Sequence, residues 1–435
     1  MNLAPVLERL YGLAKRGARR DLEGMREACA IDGDPQDRIA TVHIAGTNGK
    51  GSVAASMESI ARAAGLRTGL YTSPHLQRFA ERVRLDGAPI DDALLARHLA
   101  SVLDRHPSLT FFEVATLAAF HVFHEARVDL AVIEVGLGGR LDATNVIARP
   151  RATVVTTISY DHTEWLGDTI EAIAGEKAAI CKAGVPVITG PLPRAAAQVV
   201  EARAQEVSAA PLWRVGQELR PTAHGEHLVV EGPVGRSIAV TPALRGAHQR
   251  DNAAIAIGMA WLLRSPPAGV PAISIEDVAI ARGIASVRWP GRLETIEVGE
   301  GKLAGTYLLD GAHNEEGAYA LGAALDQRQE PRALVFGAMG DKAWGTMVRE
   351  LSRRFVSRVY VAPDAAGAGR AAAAPAALQA IDQGGAVSGS LAKGLARARA
   401  DVGRAGLVVV AGSLYLVGEA RSLLLGEERD PQVGM

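Results

Sequence analysis

His43-Ile44-Ala45-Gly46-Thr47-Asn48-Gly49-Lys50-Gly51-Ser52 follows a short apolar β run and leads into an Ala-rich helical stretch. In that setting, backbone N–H groups at a helix start can cradle a phosphate. The glycines let amides turn toward an anion, Lys50 offers a compact charge to β and γ phosphates, and the Ser52 hydroxyl stands where such loops hold Mg²⁺. Asn48, Gly49, Lys50, Gly51 and Ser52 are thus candidate ATP contacts, with Lys50 also a catalytic candidate. The GxxxxGK[ST] spacing is not met, because Ile44 takes its first Gly position and Gly51 separates Lys50 from Ser52. An ordinary kinase or GTPase loop is disfavoured, and a glycine turn that merely caps a helix is the plain alternative.

Outward from this loop, residues 41–45, 67–71, 130–135, 152–157 and 185–188 read as buried strands, and 52–64, 91–105 and 113–126 carry helical periodicity. The alternation predicts an α/β fold with a doubly wound, mostly parallel sheet. Residues 211–241 are expected to form a small side sheet of two strands around a Gly/Pro turn. A break at Pro290-Gly291 separates a first domain, 1–290, from a second α/β domain, 291–435, with strands near 306–310, 333–336, 358–362 and 406–411. Residues 364–377 read as a surface loop or frayed helix, and the tail after Glu427 as mobile.

Composition excludes several classes. The 435 residues are 48% apolar, 4% aromatic and 22% charged, with 47 basic against 48 acidic side chains, so no global field points to nucleic acid or an anionic membrane. Cys29 and Cys181 stand far apart with no CxxC pair, which argues against a disulfide framework and for the cytoplasm. No long uncharged apolar run predicts membrane insertion.

The loop variant Gly-Thr-Asn-Gly-Lys-Gly-Ser resembles that of Mur-type ligases, and within them the folylpolyglutamate and dihydrofolate synthases. Further blocks match in order: Tyr71-Thr72-Ser73-Pro74-His75-Leu76, Arg78-Phe79-Ala80-Glu81-Arg82, Glu134 to Asn145, Asp161 to Gly167, Asp310-Gly311-Ala312-His313-Asn314, Phe336 to Lys342 and Gly412-Ser413-Leu414-Tyr415. The family's His-Asn-Pro is broken here by Glu315, and Ala179 replaces a usual Gly. The resemblance implies a Mur-ligase-like P-loop domain and a C-terminal Rossmann-like domain that together join L-glutamate to dihydropteroate and to reduced folates, using ATP and two Mg²⁺ ions in a monomer.

It also implies roles residue by residue. Ser73, Glu134 and His162, each after a predicted strand, would be metal ligands with Ser52 nearby; the plain readings are a turn former, a strand-end charge and a loop histidine. His162 is also a conceivable proton carrier. Lys177 would be an N6-carboxylysine, against the alternative of a solvated helix lysine. Asn252, Arg292, Asp310 and His313 would contact ATP; the first could be a helix cap and Asp310 a turn acid. Thr110, Phe111, Phe112, Glu113, Leu141, Asp142 and Ala143 would wall a dihydropteroate site, with Asp21 and Leu22 in an early substrate loop; ordinary core packing is the alternative for the phenylalanines. A sharp turn at Ser73-Pro74 is expected to be cis. A cell-wall amino-acid ligase, a folylpolyglutamate synthase without dihydropteroate activity, and a non-catalytic nucleotide-binding regulator are the competing functions.

Overall fold

The computed structural model describes residues 2–16, 21–364 and 371–430. Apolar residues along the first strands alternate between two covered faces. Leu70, Val132, Val42 and Ile44 point into one core, while Tyr71, Ala131 and Ile133 point into another. Such strands must be sandwiched by helices, and they are. The strands are β1 (Thr41–Ala45), β2 (Thr68–Tyr71), β3 (Val83–Leu85), β4 (Ala88–Pro89), β5 (Leu130–Glu134), β6 (Ala152–Val155), β7 (Val187–Thr189) and β8 (Leu212–Arg214). They lie in the order β4-β3-β2-β5-β1-β6-β7-β8, parallel except for the antiparallel β3 and β4. The central β1 is flanked by β5 and β6, so loops leaving their carboxyl ends converge at the switch point where α/β sheets bind ligands.

The helix Lys50–Ala63 packs one face together with Ala247–Arg264 and Asp277–Ser286. Helices Leu3–Gly12, Glu23–Ile31, Asp92–Arg105 and Phe111–Glu125 contribute to the other. The side sheet corrects the sequence reading: it has three antiparallel strands, β9 (Arg220–His224), β10 (His227–Glu231) and β11 (Ser237–Val240). Residues 212–214, expected within it, extend the main sheet as β8. Leu228, Val230 and Ile238 seal it onto the helix Ala247–Arg264.

The second sheet contains β12 (Glu294–Val298), β13 (Gly305–Leu309), β14 (Arg332–Phe336), β15 (Ser357–Tyr360), β16 (Ala386–Val387) and β17 (Leu407–Ala411), ordered β12-β13-β17-β14-β15-β16. Only the edge strand β12 is antiparallel. Part of the expected loop 364–377 lies outside the described residues; within the rest, Ala371 and Ala373 pair with Gly340 and Ala338, and Pro375–Ile381 is helical. The tail also departs from expectation through residue 430. Asp430 N–H donates to the Gln77 carbonyl at 2.9 Å, and its carboxylate accepts from Phe79 N at 2.7 Å. Residues 431–435 lie outside the described residues. No helix of the described residues is long and apolar enough to cross a membrane.

Trp261, 1% exposed, joins the helix that carries Asn252 to the side sheet. Trp261→Ala leaves a cavity that close packing cannot refill and should cost about 3–5 kcal/mol. A urea midpoint equal to that of the parent chain would show that this core does not depend on it.

Candidate functional site

The phosphate-loop glycines are dictated by geometry. Gly49 caps the helix Lys50–Ala63 at φ 85°, and a Cβ there would come 2.6 Å from Asn252 Oδ1. The turn brings the loop carbonyls inward as well as its amides. Lys50 Nζ donates to the carbonyls of Gly46 and Thr47 at 3.1 and 3.2 Å, and lies 4.0 Å from Glu134 Oε1. From the helix Ile170–Ala178, Lys177 Nζ reaches the same Gly46 oxygen at 3.0 Å.

Burial decides the charge states here. Lys177 is 5% exposed; desolvation, helped by the Lys50 charge, brings its amine down to about 7. Desolvation pushes the Glu134 carboxyl up to about 7, against the pull of Lys50 and the Ser73 amide. That amide donates to Glu134 Oε2 at 3.2 Å, and the Ser73-Pro74 bond that follows is cis. Ser73 Oγ itself is buried without a hydrogen-bond partner. An unpaired hydroxyl beside a buried carboxylate suits a hard cation. Among the described residues no three His, Cys, Asp or Glu side chains gather as metal ligands.

The second sheet closes over this loop. Asn48 Nδ2 donates to Glu316 Oε2 at 2.6 Å and to Asn314 Oδ1 at 3.3 Å, while Asn314 Nδ2 returns a bond to Asn48 Oδ1 at 3.0 Å. Ser159 Oγ also donates to Glu316, at 2.8 Å. Nearby, Lys342 Nζ donates to Asp161 Oδ1 at 2.5 Å, with His162 and His313 Nε2 each 3.8 Å from Oδ2. Burial would raise Asp161, but His162, His313 and Lys342 hold it well below the usual carboxylate range. His162 takes a left-handed backbone, φ 51°, a conformation that non-glycine residues keep only where the surroundings enforce it.

Asp310, at the end of β13, accepts from Leu293 N and Ala312 N, both at 2.9 Å. The first bond pins Leu293 at φ 46° and so shapes the turn that carries Arg292. Arg292 crosses bare backbone at Gly311, where a Cβ would sit 2.0 Å from Nη1. Asn48 to Ser52, Ser73, Glu134, His162, Lys177, Asn252, Arg292, Asp310 and His313 all line one cleft of about 290 Å³. Sequence reasoning missed Gln249, Asp161, Lys342 and Glu316 on the same walls. Their partners lie across 157 to 268 residues of chain, Asp161 with Lys342, Glu316 with Asn48 and Ser159, and Gln249 with Ser52, although Gln249 also bonds the nearby Asn252.

The remaining candidates sit outside that cleft. Thr110 and Glu113 form a reciprocal cap on the helix Phe111–Glu125. Phe111 is 4% exposed and packs with Phe79 and Tyr11. Phe112 is half-buried, and its ring tip lies under Gly136, a residue of the cleft wall. Asp142 is buried and accepts from Leu137 N, Thr144 N and Thr144 Oγ1, so its carboxylate shapes its own loop. Beside it, Leu141 is half-buried and Ala143 buried. Leu22 is buried, whereas Asp21 is exposed and accepts from Glu23 N at 3.0 Å.

The chain resembles known proteins over both sheets. Residues 44–260 match the Mur ligase middle domain, and 291–414 the Mur ligase, glutamate ligase domain. The chain is 37% identical over 430 residues to a folylpolyglutamate synthase of Lacticaseibacillus casei, covering 95% of this chain and 96% of that one. It is 37% identical over 361 residues to the dihydrofolate synthase/folylpolyglutamate synthase of Bacillus subtilis, covering 79% and 81%. A Haloferax volcanii protein described as a "Probable bifunctional folylpolyglutamate synthase/dihydropteroate synthase" is 36% identical over 435 residues, and the chain spans only 49% of it. The E. coli FolC structure in complex with DHPP and ADP superposes with a TM-score of 0.86 at 29% identity, over 98% of each chain. Mycobacterium tuberculosis folylpolyglutamate synthase complexed with ADP and AMPPCP gives 0.85 at 30%, over 99% and 100%.

The depressed Lys177 amine carries a stability cost. An ammonium stabilised less in the fold than in the unfolded chain costs most below about pH 7, and the cost fades as pH rises toward the ordinary lysine range. Lys177→Met should therefore raise the unfolding free energy in nucleotide-free, CO₂-depleted buffer, by roughly 1–3 kcal/mol near pH 7 and by less at pH 9.5. Calorimetric scans at the two pH values decide it; a variant less stable at both would refute the assignment.

Proposed function

The chain belongs to the Mur ligase superfamily, among the folylpolyglutamate and dihydrofolate synthases, which are ATP-dependent ligases, and from that premise we propose that it adds L-glutamate both to dihydropteroate and to the γ-carboxylate of reduced folates. The observation that carries this reading is the single cleft in which the glycine loop, Lys50, Lys177 and Glu134 from one sheet face Arg292 and His313 from the other. An acceptor oxygen attacks the γ-phosphorus of ATP and the bond to ADP breaks, leaving an acyl phosphate. Glutamate's amine then attacks the acyl carbon, phosphate departs with the C–O electron pair, and the amine loses a proton. Lys50 and Arg292 stabilise charge on the transferring group, and no side chain need become a nucleophile.

Two Mg²⁺ ions, when bound, supply charge neutralisation between phosphate and carboxylate, and Ser73, Glu134 and His162, with Ser52 at the phosphates, are the residues that would hold them. Lys177 is read as an N6-carboxylysine. A neutral amine adds to CO₂ and sheds a proton, and the resulting carbamate is an anion beside Lys50 where the ammonium was a second cation. The amine lowered to about 7 supports this chemistry at neutral pH.

Asn252 serves the nucleoside side of ATP, and Asp310 acts by holding the Arg292 turn. Phe112, with Thr110, Phe111, Glu113 and Leu141 to Ala143, walls the dihydropteroate position, and Asp21 and Leu22 edge it. Residues 1–290 and 291–435 act as two domains. A monomer is the proposed functional unit, and two buried free thiols suit the cytoplasm.

Purified protein given ATP, Mg²⁺, glutamate and each acceptor separately should release ADP with both; turnover on folates but none on dihydropteroate would narrow it to a folylpolyglutamate synthase. Lys50→Ala should lower kcat by 10³-fold or so while keeping the fold, since charge on the phosphoryl group loses its nearest cation. Intact-mass and high-resolution structural analysis should find Lys177 carrying CO₂. Density ending at a bare Nζ with nucleotide and Mg²⁺ bound would rule that out.

A further inference from the structure

We infer that Gln249, in the helix Ala247–Arg264, is a positioning residue that sets the direction of the Ser52 hydroxyl and thereby ties the nucleoside side of the cleft to its phosphate end. The inference rests on the nucleotide reading above and adds a residue to it. Gln249, Asn252 and Ser52 are 3%, 4% and 2% exposed, so their polar groups must be satisfied within the protein or by what enters the cleft.

The hydrogen bonds leave one arrangement. Asn252 Nδ2 donates to Gln249 Oε1 at 3.0 Å, which commits the Gln249 oxygen as an acceptor. Gln249 Nε2 then faces Ser52 Oγ and donates to it at 3.2 Å. Ser52 therefore accepts, and its own proton has to go elsewhere. A serine in a first helical turn can donate back to the carbonyl four residues earlier. That oxygen, Asn48 O, already accepts from the hydroxyls of Thr156 at 2.6 Å and Thr157 at 3.4 Å. Gly49 O accepts from Val53 N at 2.9 Å, and among the described residues Ser52 Oγ donates to neither carbonyl. The Ser52 proton and its remaining lone pair are thus turned into the cleft, where one suits a phosphate oxygen and the other a hard cation.

The same chain of bonds fixes Asn252. With its amide nitrogen on Gln249, its oxygen is pressed against Gly49, so the residue expected at the nucleoside also buttresses the phosphate turn. A shift of Asn252 is passed to Ser52 through one rigid amide.

Two substitutions separate this from packing. Gln249→Glu keeps an acceptor for Asn252 but cannot donate, so Ser52 turns its proton onto the new carboxylate. Gln249→Met keeps the volume and removes both bonds. The full chain and both variants are titrated with AMPPCP by calorimetry, once in EDTA and once in MgCl₂, with urea midpoints measured alongside. In both variants the tightening produced by Mg²⁺ should shrink about tenfold beyond whatever affinity is lost in EDTA, with kcat down at least tenfold and KM for glutamate unmoved. An equal loss in EDTA and in MgCl₂, or a Mg²⁺ effect of wild-type size in both, would overturn the inference. The titration needs no acceptor, so its outcome stands apart from the reading above, which is tested by turnover of the wild-type enzyme on each acid.

Discussion

Two ammonium groups meet one carbonyl oxygen. Lys50 and Lys177 both donate to Gly46, and the nearest negative charge, Glu134, is itself buried deeply enough to hold its proton near neutrality. Cations this close, with little water between them, repel strongly. The arrangement persists because it is anchored by helices with large cores on either side of the sheet, and because it is organised for anions. The phosphate loop, the Ser73 turn and the helix bearing Lys177 all take their positions from that demand.

The second sheet meets the demand from across the cleft without adding comparable repulsion. Arg292 is delivered by a turn held in a left-handed conformation at Leu293, and the strain is balanced by Asp310, whose oxygens are spent on backbone amides. An acid whose motif suggests a ligand also holds the backbone of its own turn. Asp142 does the same in its loop.

What could be read in advance follows from range. The phosphate loop, the alternating strands and the helices at 50–63, 92–105 and 111–125 are written in contiguous periodicity, so they were legible. So, by resemblance, were the cleft residues of the ordered blocks. The third side-sheet strand was not, because Pro221 and alternating half-exposed residues give it no strand signature. Nor was the docking of Asp430, whose partners Gln77 and Phe79 lie about 350 residues away. Pairs such as Asn48–Glu316 and Lys342–Asp161 have no local signal; they exist only once two sheets have folded and met.

The clasp on Asn48 bears on motion between the sheets. The residue that turns the chain over the phosphates is also the handle by which the second sheet grips the first, through two amides, a carboxylate and a serine. Any motion of the second sheet away from the first must break these bonds together, so a displacement on one side of the cleft is felt directly at the glycine loop on the other.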